Sequence, residues 1–211
     1  MNSNDVRRQW ADRSGEYSPE YYAYYGPDDT SDGICRTLEQ FVDRTAPVLE
    51  LGCSSGRHLA HLYEHGFENV TGIELNGDAL EVMEEAYPDL AADGEFHIDA
   101  IEGVVSDFAD DEFSVVYSVE TLQHLHPDAT WVFDELSRIT SDVLITAEIE
   151  HDDLEQTAET APSVQYIDDE FPLYHRDWNE IFTSRGFDEV DVSSGERETI
   201  RTFRPPSSDA Q

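Results

Sequence analysis

Residues 47–76 read PVLELGCSSGRHLAHLYEHGFENVTGIELN. Pro47 opens a short apolar run, Val48 to Leu51, that carries one acid, Glu50. Five small residues follow, Gly52, Cys53, Ser54, Ser55 and Gly56, then a helical pattern as far as Gly66. A second apolar segment, Val70 to Leu75, contains Glu74 at its tip and meets Asn76. Strand, glycine-containing turn, helix and strand make the βαβ unit whose first turn receives a nucleotide-like ligand. Small residues there let ligand atoms approach the backbone. A dinucleotide turn needs Gly-x-Gly-x-x-Gly, so that bare backbone and a helix start hold the pyrophosphate. The three positions here are Gly52, Ser54 and Arg57. Glu50, two residues ahead of Gly52, disfavours a pyrophosphate and suits a cation. Glu74 is placed to accept hydrogen bonds from ribose hydroxyls. The expected guest is a nucleoside that carries positive charge and no phosphate.

The same alternation continues along the chain. A helix is expected near residues 32–43, with Ile34, Leu38, Phe41 and Val42 on one face. Asn76 is expected to cap a helix that runs to about Tyr87 and is closed by Pro88. Further strands are expected at Glu95–Ile98, Phe113–Val119 and Val143–Ala147, and a helix from Pro127 turns Val132, Phe133, Leu136 and Ile139 inward. Residues 149–174 read as a long acidic connection. A last helix, near Arg176 to Arg185, ends at Gly186-Phe187, which echoes Gly66-Phe67. Val190–Val192 and Thr199–Phe203 read as a terminal hairpin. The pattern implies an α/β protein, a Rossmann-like three-layer sandwich on a mostly parallel sheet. The expected organisation is an aromatic-rich N-terminal cap segment at 1–33, a ligand-binding domain at 34–205 and a flexible tail at 206–211.

The 211 residues carry 48 acids against 12 bases, a net charge of −36, and every base is arginine. Such a charge usually accompanies disorder, yet 38% of residues are hydrophobic and recur at helix and strand periods. Dense carboxylate with no lysine suits a high-salt cytoplasm, where at about 1 M salt a Debye length of roughly 3 Å screens self-repulsion. Two cysteines, Cys35 and Cys53, are expected as free thiols. The opening MNSNDVRRQW is polar, unlike a signal peptide, and no apolar run approaches the roughly 20 residues that cross a bilayer. A cytoplasmic location is expected. No basic stripe exists to neutralise phosphates, so neither nucleic acid nor membrane is an expected partner.

With these residues in view, the sequence resembles the class I S-adenosylmethionine-dependent methyltransferase family, in an acidic, haloarchaeal style. The family's first motif, acid-x-Gly-x-Gly-x-Gly, appears as Glu50-x-Gly52-x-Ser54-x-Gly56, with Ser54 in place of the middle glycine. The acid that ends strand two matches Glu74, and the acid after strand three matches Asp99 in EFHIDA. The resemblance spans about residues 35–205 and implies seven strands with the last antiparallel. It implies S-adenosylmethionine as cofactor, with Glu50, Gly52, Ser54 and Gly56 around the methionine part. Glu74 and Leu75 would then hold the ribose, Asp99 and Ala100 the adenine, and Val119 would complete the pocket. The loop after strand four, Glu120 to His126, faces the methyl position in that family.

Methyl transfer from a sulfonium is an in-line displacement, so the protein chiefly holds a nucleophile about 3–3.5 Å from the methyl. His124 is the candidate base or orienting residue, weighed against a packing histidine; nearby carboxylates are expected to raise its pKa. Tyr22, Tyr174 and Arg176 are candidate acceptor contacts, with surface ion pairing the competing role for Arg176. His58, His61 and His65 share a helix side with metal-binding spacing, but no further Cys or His joins them in the sequence, and a solvated flank is the expectation. The favoured reading is a methyltransferase for a small-molecule acceptor. A non-catalytic S-adenosylmethionine-binding module and a nicotinamide oxidoreductase compete with it. Oligomeric state is left open.

Overall fold

The computed structural model describes residues 2–150, 162–167, 171–195 and 197–206. Val48–Leu51 forms β1, and all four residues are buried, as expected of a central parallel strand covered on both faces. Its neighbours are β2 (Val70–Glu74) and β4 (Phe113–Val119), both parallel, with Val48 opposite Val70 on one side and Val115 on the other. β3 (Glu95–Ile98) adds outside β2, and β5 (Thr140–Glu148) outside β4, again parallel. β9 (Thr199–Arg204) pairs antiparallel with β5, and β8 (Asp188–Ser194) closes that edge. The seven-stranded order is β3-β2-β1-β4-β5-β9-β8, so only the last strand in the chain runs against the rest. This is the α/β architecture read from the sequence.

Alternation along each strand divides the core between the two faces. Leu49 and Leu51 of β1, Val116 of β4 and Leu144 of β5 pack with Val132, Phe133, Leu136 and Ile139 of α8 (Trp131–Ile139) and with Trp178, Ile181 and Phe182 of α9 (Trp178–Thr183). Val48, Val115, Tyr117, Val143 and Ile145 point the other way. They meet Ile34 and Leu38 of α3 (Asp29–Phe41), Leu59 and Leu62 of α4 (Arg57–Glu64), and Met83 of α5 (Ala79–Ala86). Each buried Leu, Ile or Phe removes enough apolar surface to contribute about 1.5–3 kcal/mol.

The two Gly-Phe echoes are one device. The Phe67 amide donates to the Leu62 carbonyl at 3.0 Å and the Gly66 amide to Tyr63 at 2.9 Å, while Phe187 and Gly186 do the same to Phe182 and Thr183. Gly66 and Gly186 sit at φ 89° and 93°, the left-handed conformation that ends a helix with this pair of bonds.

The structure departs from the sequence reading in five places. Residues 1–33 are helical in part: α1 is Ser3–Ala11 and α2 is Pro19–Tyr25. Asn76 does not cap a helix; its Oδ1 accepts from Asp78 N and its Nδ2 donates to the Arg13 carbonyl, and α5 begins only at Ala79. Pro88 opens a further helix, α6 (Pro88–Asp93), because proline's missing N–H costs nothing at a first helical position. A short helix α7 (Ile101–Val104) follows β3. Within the acidic connection, β6 (Ser163–Ile167) and β7 (Phe171–His175) form a separate antiparallel hairpin; β7 is wholly buried, which its short length and internal Pro172 concealed. Residues 151–161 and 168–170 of that connection, and 207–211 of the expected tail, lie outside the described residues. Among the described residues no helix is long and apolar enough to cross a membrane.

Candidate functional site

Sheet order reverses between β1 and β4, and a crevice is expected at the carboxyl ends of the strands there. A cavity occupies that place. Its floor and one side are Gly52, Cys53 and Ser54 after β1, Ile73, Glu74, Leu75 and Asn76 at the end of β2, and Asp99 and Ile101 after β3. The opposite side is Val119, Glu120, Thr121 and His124 after β4, with Arg57 and His58 from the start of α4. Trp10, Tyr17, Pro19 and Tyr22 close over it from the N-terminal segment.

The turn after β1 is built by backbone geometry. Gly52, Ser54 and Gly56 have φ of 68°, 49° and 81°. A methyl group on Gly52 would collide with the Thr121 side chain, and one on Gly56 would stand 2.9 Å from Met83 Cε and Leu90 Cδ2. Ser54 adopts the left-handed conformation without being glycine, and the Glu74 carboxylate secures it: the Ser54 amide donates to Oε2 at 2.8 Å, and the Asn76 amide donates to Oε1 at 2.7 Å. One half-buried acid therefore ties the turns after β1 and β2 together. Burial raises the Glu74 pKa, against which its backbone hydrogen bonds act.

Of the residues expected at the cofactor, Gly52, Ser54, Glu74, Leu75, Asp99 and Val119 line one cavity, and Tyr22 and His124 line it too. Glu50, Gly56 and Ala100 do not line it. Glu50 is the largest departure. Its side chain lies on the inner face of β1, 1% exposed, and accepts from the Tyr117 hydroxyl at 3.0 Å. Burial pushes its pKa up to about 8, so at neutral pH it is mostly protonated and is not the charge that would select a cation. Position two residues before the turn fixed its strand but not its depth. The acidity of the cavity comes from elsewhere. Arg57 is paired with Asp28 at 2.8 Å and stacks over Tyr22 at 5.0 Å, and Glu120 is paired with Arg197. Glu74 and Asp99 remain as carboxylates without a cationic partner among the ion pairs of the described residues.

Tyr174 and Arg176 do not line the cavity. Tyr174 is 5% exposed on β7. Arg176 is buried: its guanidinium donates to the Leu122 carbonyl at 3.2 Å and the Leu125 carbonyl at 2.6 Å and stacks against Phe133, Tyr174 and Trp178. It holds the loop that carries His124 from behind.

His124 is neutral, contrary to the expected upward shift. Burial, with Arg176 nearby, pushes its pKa down to about 4. Nδ1 donates to the Pro172 carbonyl at 2.9 Å, which leaves Nε2 as the lone-pair nitrogen, 3.4 Å from the Gln123 amide nitrogen. The Trp10 ring lies tilted on His124, centroids 4.7 Å apart, and on Phe171 at 4.5 Å. Thus α1, β7 and the loop after β4 meet at one aromatic corner of the cavity. Trp10 Nε1 is buried with no hydrogen-bond partner among the described residues.

Sequence reasoning missed Glu148. It is fully buried at the end of β5, and its carboxylate accepts from Ser118 Oγ at 2.6 Å, Leu122 N at 3.0 Å and Gln123 N at 3.2 Å. Burial raises its pKa to about 7. The acid closing the apolar run VLITAE was the available signal. The histidines of α4 also separate. His58 is buried against Ser31 Oγ at 2.7 Å, with its pKa pushed down to about 3, while His61 and His65 meet Cys35 of α3. The sequence reading grouped His58 with His61 and His65 and found no Cys to join them because Cys35 is on another helix.

The fold is that of the Rossmann-like methyltransferases. A family model described as a methyltransferase domain matches residues 48–142, and over that stretch the chain is similar to S-adenosylmethionine-dependent methyltransferases. No protein of curated function matches the sequence. The 1,6-didemethyltoxoflavin-N1-methyltransferase of Burkholderia thailandensis superposes with TM-score 0.65 at 17% identity, over 97% of this chain and 84% of that one. The magnesium protoporphyrin IX methyltransferase of Synechocystis PCC 6803 gives 0.64 at 14% identity, over 96% and 90%. The [4+2]-cyclase SpnF gives 0.68 at 12% identity, over 93% and 86%. At such identities the likeness is one of fold.

Proposed function

We propose that this protein transfers the methyl group of S-adenosylmethionine to a small molecule held beneath the N-terminal helices. The observation that carries this reading is the two-sided cavity. One side offers the bent turn at Gly52, Cys53 and Ser54, the Glu74 carboxylate and Asp99 around the apolar side chains of Ile73, Leu75 and Ile101. That donor set fits a cationic adenosine derivative: carboxylates for ribose hydroxyls and an adenine amine, apolar surface for the ring, and no unpaired base for a phosphate. The other side is Trp10, Tyr17, Tyr22 and His124, which suits a largely apolar or aromatic acceptor.

The bound sulfonium supplies an activated methyl group. The chain's task is then orientation and proton handling. His124 Nε2, unprotonated at neutral pH, accepts a hydrogen bond or a proton from the acceptor's nucleophilic atom. Glu148 and Arg176 fix the loop on which His124 rides. The Trp10 indole N–H is free to donate to a polar group of the acceptor. Residues 1–33 act as the cap, tied down by the Asn76–Arg13 bond and by Arg13 over Phe171 at 4.6 Å.

Transfer of isotope-labelled methyl from the cofactor to fractions of a small-molecule extract tests the reading. His124→Ala should leave S-adenosylhomocysteine affinity within about twofold and lower turnover about 10²-fold or more, the usual weight of a positioned acid–base group. Tight cofactor binding with no transfer to any fraction would favour a non-catalytic module instead.

A further inference from the structure

We propose that Cys35, His61 and His65 bind one transition-metal ion of the Zn²⁺ class, bridging α3 and α4. The three side chains each bring one donor atom, and all three atoms lie within 4.8 Å of one another. A tetrahedral ion with Zn–S near 2.3 Å and Zn–N near 2.0–2.1 Å sets ligand atoms roughly 3.3–3.6 Å apart, so closure needs shifts of about 1 Å, within rotamer reach. His61 and His65 are four residues apart and share one helix face, with ring centroids 4.3 Å apart and a tilt of 38°. Cys35 is a free thiol, 4% exposed, facing α4 from α3.

The surroundings orient these donors as outer-shell partners of a metal do. His65 Nδ1 donates to the His61 carbonyl at 2.7 Å, which directs its Nε2 lone pair outward. The Asp32 carboxylate stands 3.1 Å from His61 Nε2 and adds negative charge beside the site. One thiolate and two imidazoles select a borderline-soft ion over Mg²⁺ or Ca²⁺, which take oxygen ligands. Three protein donors leave a fourth position for water.

The clamp would act on the cofactor side through α4. That helix begins at the end of the Gly52–Gly56 turn and presents Arg57 and His58 to the cavity. α3 already holds both, through Asp28 on Arg57 at 2.8 Å and Ser31 on His58 at 2.7 Å. A metal joining the same two helices further along locks that arrangement.

The chelator-treated full chain is titrated with Co²⁺ as a spectroscopic probe, then with Zn²⁺, and Mg²⁺ serves as control. The expected result is one equivalent of Co²⁺ with a thiolate-to-cobalt charge-transfer band and tetrahedral visible bands. Zn²⁺ should displace it and raise the melting temperature, and equal Mg²⁺ should do neither. Cys35→Ser should lose the charge-transfer band. His65→Ala, at an exposed position that cannot disturb the core, should lose tight binding, and Asp32→Asn should weaken it about tenfold. A wild-type protein with no thiolate band, or binding unchanged in His65→Ala, overturns the proposal, since ions would then be held by surface carboxylates. S-adenosylhomocysteine binding measured in parallel reports on the cofactor site independently.

Discussion

Replacing Glu74 with glutamine changes one oxygen to an amide and leaves the shape intact. In the structure Oε2 accepts from Ser54 N at 2.8 Å and Oε1 from Asn76 N at 2.7 Å. The glutamine carbonyl can serve only one of these amides, and its NH₂ must face the other. A buried hydrogen bond to a charged group contributes about 1.5–3 kcal/mol, and an orphaned buried N–H costs about 1–3 kcal/mol. Stability should therefore fall by about 1–3 kcal/mol. Affinity for S-adenosylhomocysteine should fall about 10- to 100-fold, because the ribose loses an anionic acceptor and the turn that carries Ser54 loses its tie. Denaturant unfolding measures the first quantity and titration calorimetry the second, with exposed Glu81→Gln as the control. Affinity within about twofold of the parent would refute the assignment of Glu74 to the ribose, and unchanged stability would refute its role as the tie between the two turns.

Gly52→Ala should abolish measurable cofactor binding, since its φ of 68° and the Thr121 side chain both oppose a Cβ, and equilibrium dialysis with labelled S-adenosylmethionine checks this. Ligand-free stability should fall as pH rises. Glu50 and Glu148 hold protons in the native state up to about 8 and about 7, whereas the unfolded chain releases them near 4.5, as a solvent-exposed glutamate does. The native state thus binds more protons in that window, each group contributing on the order of 3–5 kcal/mol, at about 1.4 kcal/mol per pKa unit, that is lost toward alkaline pH. Unfolding followed in molar salt, where general charge repulsion is screened, should show this slope, and Glu148→Gln should flatten it above pH 5. With a net charge of −36 the protein should lose thermal stability on transfer from molar to dilute salt; equal melting temperatures in both would contradict the screening argument.

Much of the architecture was already present in the order of residues. β1 and β4 fall on the stretches their apolar patterns marked, because central strands need continuous burial and their period of two shows in Val115, Val116 and Tyr117 pointing alternately to the two faces; β3, an exposed edge strand, also falls on its expected residues. Both Gly-Phe helix ends were legible because a left-handed cap is a local requirement. Gly52, Ser54, Glu74 and Asp99 were legible for the same reason: each sits at a strand end, and topology brings strand ends together. Depth and long-range company were not. Whether Glu50 faces a ligand or the core depends on which side of β1 Tyr117 occupies. The pKa of His124 depends on burial beneath Trp10 and beside Arg176, residues far from it in sequence. Glu148 reaches the loop after β4, and Cys35 meets His61 and His65, only once helices and strands are packed. Local conformational preference is written residue by residue, while protonation and partnership are properties of the environment that distant segments create.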